Sequence, residues 1–229
     1  MNKRKLYFVS GFKGGIGKSM LASFVLSYLL RHQIPVKGID TDQTNPDMVA
    51  AYGQDLVSLA YVEDRSGWLT FLDCVNSEQK DTNFVVNTPA GSVSALKDNI
   101  QIFRKGAQRL GFEIVVLWPM IPSRDCQTLL SNALDIFSEP LHIGLNLHMV
   151  EGKSEYAFDD IIESSAFREN LERGGSYFFM PNMIDRIKGR VIDARVPLHL
   201  AKEKLDIVDS IEFEDWEEKF DSQLLKVIQ

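Results

Sequence analysis

The chain has 229 residues, 45% hydrophobic and 25% charged, and its 25 Lys and Arg against 32 Asp and Glu leave a net charge of −7. This predicts one domain spanning 1–229 with a single buried core, and excludes any general attraction to nucleic acid or anionic lipid, so such contacts must be local. Cys74 and Cys126 lack C-x-x-C spacing and neighbouring His, which reads as reduced thiols rather than zinc ligands; no stretch approaches the ~20 apolar residues that cross a bilayer, and a soluble, cytoplasmic protein is expected.

The basic start, Met1 to Lys5, leads into an apolar run too short for a signal peptide. Strands are predicted at 5–10, 35–40, 57–62, 83–87, 112–118, 140–147 and 175–180, where short β-branched or aromatic runs stand between turn residues. The clearest helix follows the first strand, with Leu21, Ala22, Val25, Leu26, Leu29 and Leu30 on one face. Further helices are predicted at 67–78, 93–109, 125–137 and 154–172, with two shorter ones before the C-terminus. Strand and helix in alternation predict a doubly wound α/β fold, a mostly parallel sheet with helices on both faces. A final helix at about 212–228 spaces Phe213, Trp216, Phe220, Leu224 and Ile228 three or four apart. Its polar face carries Glu212, Glu214, Asp215, Glu217, Glu218 and Asp221, the wrong sign for membrane anchoring, so it is expected to dock on the domain body.

Between the first strand and its helix lies Gly11-Phe12-Lys13-Gly14-Gly15-Ile16-Gly17-Lys18-Ser19, in the strand, loop, helix context of a phosphate-binding loop. Closely spaced glycines let main-chain N–H groups turn inward on phosphate oxygens, Lys18 adds a cation and Ser19 a hydroxyl for Mg²⁺. After the second strand comes Asp40-Thr41-Asp42-Gln43-Thr44-Asn45, whose carboxylates at i and i+2 leave a strand end on the same side. After the fourth comes Asn87-Thr88-Pro89-Ala90-Gly91.

The second lysine in the loop, Lys13, makes the segment resemble the deviant Walker A loop of ParA/MinD-type P-loop ATPases, and the other two segments resemble that family's D-x-D-x-x-x-N and D-S/T-P-A-G motifs. The resemblance implies binding of ATP and Mg²⁺, with Gly14, Gly15, Ile16, Gly17, Lys18, Ser19 and Met20 around the phosphates. Lys18, the partner's copy of Lys13 and Asp42 would be catalytic, the lysines on transition-state charge and Asp42 on the attacking water. Ser19, Asp40 and Asn87 would serve the metal, Asn45 and Gly91 the γ-phosphate side, and Asn146 and Pro181 the base. Phe12 stands where a general phosphate loop has Gly. Asn87 replaces the family's Walker B Asp and keeps its shape without its charge, which predicts slow turnover.

The implied activity is an ATPase that pairs face to face as a homodimer when ATP is bound and engages a protein partner. The segment Glu151-Gly152-Lys153-Ser154 after Asn146 and the acidic last helix look most like ATPases encoded with plasmid transfer and mobilisation genes, with partition ATPases as neighbours. DNA binding would fall to the basic segment 186–204, which holds Arg186, Lys188, Arg190, Arg195, Lys202 and Lys204 against Asp193 and Glu203. A dethiobiotin-synthetase-like ligase and an adaptor with little hydrolysis remain alternatives. A nitrogenase iron-protein-like reductase does not, because Thr88 to Val93 contains no cysteine.

Overall fold

A computed structural model describes residues 3–91 and 93–228; Met1 and Asn2 of the basic start and the side chain of Lys153 lie outside what it describes. The fold is α/β, with seven strands in one sheet in the order β3-β2-β4-β1-β5-β6-β7. The chain divides into two compact units, Met1–Val116 and Leu117–Gln229.

The first unit runs β1 (Arg4–Val9), α1 (Lys18–Arg31), β2 (Val36–Asp40), α2 (Asp47–Tyr52), β3 (Val57–Leu59), α3 (Arg65–Ser77), β4 (Asn83–Asn87) and α4 (Val93–Arg109), then enters β5 (Phe112–Met120). Leu6 to Val9 and Phe84 to Val86 are all buried, the continuous apolar run of a strand covered on both sides. β4 pairs in parallel with β1 and β2, and the register sets Asn87 opposite both Val9 and Asp40. Three strands therefore end at one level. Phe8, Trp68, Phe71 and Phe103 fill the core, with the Phe8 and Phe103 rings 5.0 Å apart and Trp68 edge-on to Phe103 at 5.2 Å.

α3 starts two residues before the predicted 67, because Asp64 caps it by accepting the Gly67 N–H at 2.8 Å. Gly67 packs under the preceding chain so closely that a Cβ there would lie 2.1 Å from the Tyr61 carbonyl oxygen. β3 ends at Leu59 rather than 62. Apolar periodicity does not signal α2, whose Met48 N–H is held by the carboxylate of Asp40, eight residues earlier.

The second unit holds α5 (Arg124–Ile136), β6 (Leu141–Asn146), α6 (Asp159–Ile162), α7 (Ser165–Glu172), β7 (Ser176–Met180), α8 (Asp185–Val191), α9 (Ala201–Lys204) and α10 (Ile207–Ile228). β6 and β7 are parallel, with Asn146 opposite Met180. Buried Asn170 joins α7 to β6, accepting from Leu141 N–H and donating to Leu141 C=O. The single helix predicted at 154–172 is instead a 3₁₀ turn and two helices. Ser164 breaks it by capping α7, accepting the Phe167 N–H at 3.3 Å.

The last helix docks on the body as expected, burying Phe213, Trp216, Phe220 and Leu224, with Trp216 Nε1 donating to Pro181 C=O and the Phe220 ring tilted against that of Phe178 at 6.4 Å. It begins five residues before the predicted start, because Asp206 caps it by accepting the Asp209 N–H at 3.0 Å. Among the described residues, no helix is long and apolar enough to cross a membrane.

Candidate nucleotide site

Lys18 and Ser19 open α1, a 14-residue helix with no acidic residue in its first turn. The Leu21 N–H is the first to find an acceptor within the helix, at Gly17 C=O, which leaves the N–H groups of Lys18, Ser19 and Met20 without intrahelical partners. The loop reaches this point through two glycines in the left-handed region, Gly15 at φ +73° and Gly17 at φ +101°, conformations that would strain any residue with a Cβ. Such a helix start favours an anion.

Lys18 is 8% exposed and donates from Nζ to Lys13 C=O at 2.8 Å, so the loop's own backbone holds its cation in place. Burial pushes the Lys18 ammonium below its ordinary range, and the charge of Asp42 opposes that shift. Lys18 has no salt-bridge partner among the described residues, and a buried cation in that state gains from the arrival of an anion. Lys13, Gly17, Ser19 and Met20 are half-buried, Gly14 and Gly15 exposed and Ile16 buried. A Cβ at Gly14 would lie 3.8 Å from that of Ala90, which puts the segment after β4 beside the loop.

Asp40, fully buried, accepts from Asp42 N–H at 3.2 Å and Asn87 Nδ2 at 3.1 Å on Oδ1, and from Met48 N–H at 2.9 Å on Oδ2. Burial raises its pKa; the hydrogen bonds, that of Asn87 first, oppose the rise. Both of its oxygens are occupied by protein donors. Asn87 also donates to Ser19 Oγ at 3.5 Å, while its Oδ1 is buried with no partner among the described residues. A lone buried acceptor beside a serine hydroxyl fits the hydration shell of a hard cation, which keeps several waters. The residues therefore suit Mg²⁺, with Ser19 Oγ and Asn87 Oδ1 as its holders and Asp40 as the anchor behind Asn87.

Asp42 Oδ1 accepts from Thr44 N–H at 3.1 Å and Asn45 N–H at 3.0 Å, which fixes the turn after β2. Asn45 is exposed and donates to Asp47 at 2.8 Å. Gly91 is exposed at φ +85°. In the second unit, Asn146 Oδ1 caps the turn after β6 by accepting the His148 N–H at 3.1 Å, and Pro181 accepts Trp216 Nε1. Two threonines passed over in the sequence lock the strand ends. Thr41 donates from Oγ1 to Asn87 C=O at 2.9 Å, and Thr88 from Oγ1 to Val9 C=O at 3.0 Å. Their signal was position alone, each directly following a site residue.

At least four of the six cations of the basic segment are paired with acids, so it presents less free positive charge than its composition suggested. Arg186 and Arg190 pair with Asp206 and Asp209, Lys188 with Asp193, and Lys202 with Glu214 and Glu217. Most of these acids lie beyond residue 204, outside the window over which the charge was counted.

No family model matches the chain. Over 216 residues it is 26% identical to protein MobD of Acidithiobacillus ferrooxidans, across 93% of each chain. A plasmid partition protein of Borrelia burgdorferi B31 bound to AMPPNP superposes with a TM-score of 0.54 at 14% identity, covering 96% of this chain and 99% of that one. The MinD cell division protein of Aquifex aeolicus gives 0.54 at 16% identity, covering 95% and 97%. The chain shares its fold with this partition protein and with MinD.

Proposed function

We propose that this single-domain protein binds ATP with Mg²⁺, hydrolyses it slowly, and uses it as a dimerisation switch in plasmid transfer, mobilisation or partition. The observation that carries the reading is the buried Lys18, clasped by Lys13 C=O at the opening of α1 and with no salt-bridge partner among the described residues. Gly14 to Met20 surround the β- and γ-phosphates, Lys18 and the partner's Lys13 meet the charge that develops on the transferred phosphoryl group, and Asp42 places the attacking water. Asn45 and Gly91 serve the γ-phosphate side, and Asn146 and Pro181 serve the base. Mg²⁺ would neutralise phosphate charge when bound. Asn87 meets its shell with a neutral acceptor, which supports slow turnover.

The mobilisation role rests on the similarity to MobD, and the partition role on the fold shared with a partition protein. The pairing of Arg186 and Arg190 with Asp206 and Asp209 favours a protein partner over DNA. A second reading, an adaptor that holds nucleotide with almost no hydrolysis, is favoured by the saturated Asp40 and the neutral Asn87. Light scattering with ATP, ADP or no nucleotide, beside a phosphate-release assay, tests both. ATP-specific doubling of mass with slow phosphate release supports the switch. Doubling without release selects the adaptor, and an unchanged mass under all conditions removes the dimerisation proposal.

A further inference from the structure

The inner face of α10 is buried, but its first turns expose Ile207, Val208 and Ile211 at 79%, 63% and 64%. Ile207 and Ile211 are one helical turn apart and Val208 lies three residues before Ile211, so the three β-branched side chains form one patch. Water gains nothing from them.

This helix start is held firmly in place. Asp206 caps it, Arg186 Nε meets the buried Asp209 Oδ1 at 2.8 Å, and Arg190 reaches both Asp206 and Asp209. Four charged groups thus fix the turn that displays three aliphatic side chains. Beyond the patch the helix is strongly acidic, with six carboxylates against two lysines over 212–228. Lys202 and Lys219 pair with Glu214 and Asp215, whereas Glu212 and Glu218 are exposed and form no salt bridge among the described residues.

We propose that Ile207, Val208 and Ile211, flanked by Glu212 and Glu218, form a docking surface for a cationic amphipathic helix of a protein partner. Apolar residues at i, i+3 and i+4 of that helix cover the aliphatic patch, and its Lys or Arg side chains lie against the two glutamates. Charge selects this occupant. A second copy would bring two acidic helices together in a chain of net charge −7, and an anionic bilayer would be repelled by the same face.

The test uses a fluorescein-labelled synthetic helix of alternating Leu and Lys blocks, read by anisotropy against the full chain. Wild type binds it, the same peptide with its leucines replaced by serine binds about tenfold more weakly, and I207S/V208S/I211S weakens the original by about tenfold or more with an unchanged circular dichroism spectrum. Ile211→Arg acts in the same direction as a single change. E212Q/E218Q flattens the salt dependence of binding. Retention of wild-type affinity by the triple variant overturns the proposal. So does concentration-dependent self-association that the triple variant abolishes, which assigns the patch to a second copy, or patch-dependent flotation with phosphatidylglycerol vesicles, which assigns it to lipid.

Discussion

Asn87 donates from Nδ2 to Asp40 Oδ1 at 3.1 Å, joining the ends of β4 and β2 by an amide-to-carboxylate bond inside the core. An aspartate at 87 would set two buried carboxylates against each other, a repulsion on the order of a few kcal/mol unless a cation or proton intervenes. Asn87→Asp is therefore expected to lower the melting temperature without Mg²⁺ and to raise ATP turnover with it. Phosphate release at saturating ATP·Mg²⁺ checks this, and turnover at or below wild type would contradict the role given to Asn87.

Asp40 is the anchor of this corner. Asp40→Asn turns one acceptor oxygen into a donor facing the N–H groups that Asp40 now holds, at a cost of about 1–3 kcal/mol. The loss should appear in urea unfolding without nucleotide or metal. Because burial raises the Asp40 pKa, its contribution to stability is greatest below the ordinary carboxylate range and is lost as pH rises through the raised value, a dependence that the variant removes. A residue serving only a metal shell would leave unfolding without metal unchanged.

Lys13 lends its carbonyl to Lys18 through the main chain, and Lys13→Ala keeps that carbonyl. The variant should bind a fluorescent ATP analogue with wild-type affinity yet fail to double its mass with ATP or fail to turn it over. Normal dimerisation and hydrolysis in Lys13→Ala would sink the switch mechanism.

Lys18→Met removes a buried cation while keeping the length of its stem. The protein without nucleotide should melt no lower than wild type, since the ammonium is disfavoured by burial. The stabilisation that ATP confers on wild type, about 2.7 kcal/mol at a hundredfold excess over Kd, should disappear. Differential scanning fluorimetry with and without ATP reads both effects.

Phe220 is 1% exposed where α10 meets β7, and Phe220→Ala should cost about 3–5 kcal/mol of unfolding free energy. Urea melts followed by Trp fluorescence measure it. A loss below about 1 kcal/mol would mean that α10 contributes little to the stability of its unit.

The local signals were legible because each is written within a few residues. The glycines and lysines of 11–19 need only a strand before and a helix after to form an anion-binding turn, and the seven strands are signalled by short apolar runs. Asp64 and Ser164 show the limit, since each decides a helix boundary by one side-chain bond that apolar periodicity does not register. α2 was invisible for a stronger reason, as Asp40 from another element holds its first turn.

The succession of strands along the chain, the glycine-rich loop and the neutral residue at 87 could be read before any folding, because periodicity and spacing are properties of neighbours along a chain. It takes the folded chain to show that Asp40 is saturated, that the Asn87 Oδ1 has no partner among the described residues, and that Arg186 and Arg190 pair with Asp206 and Asp209. Each of these depends on which groups from distant parts of the chain share a few ångströms of space. Charge and hydrogen-bonding capacity belong to the residue, but whether they are already spent belongs to its neighbours in the fold.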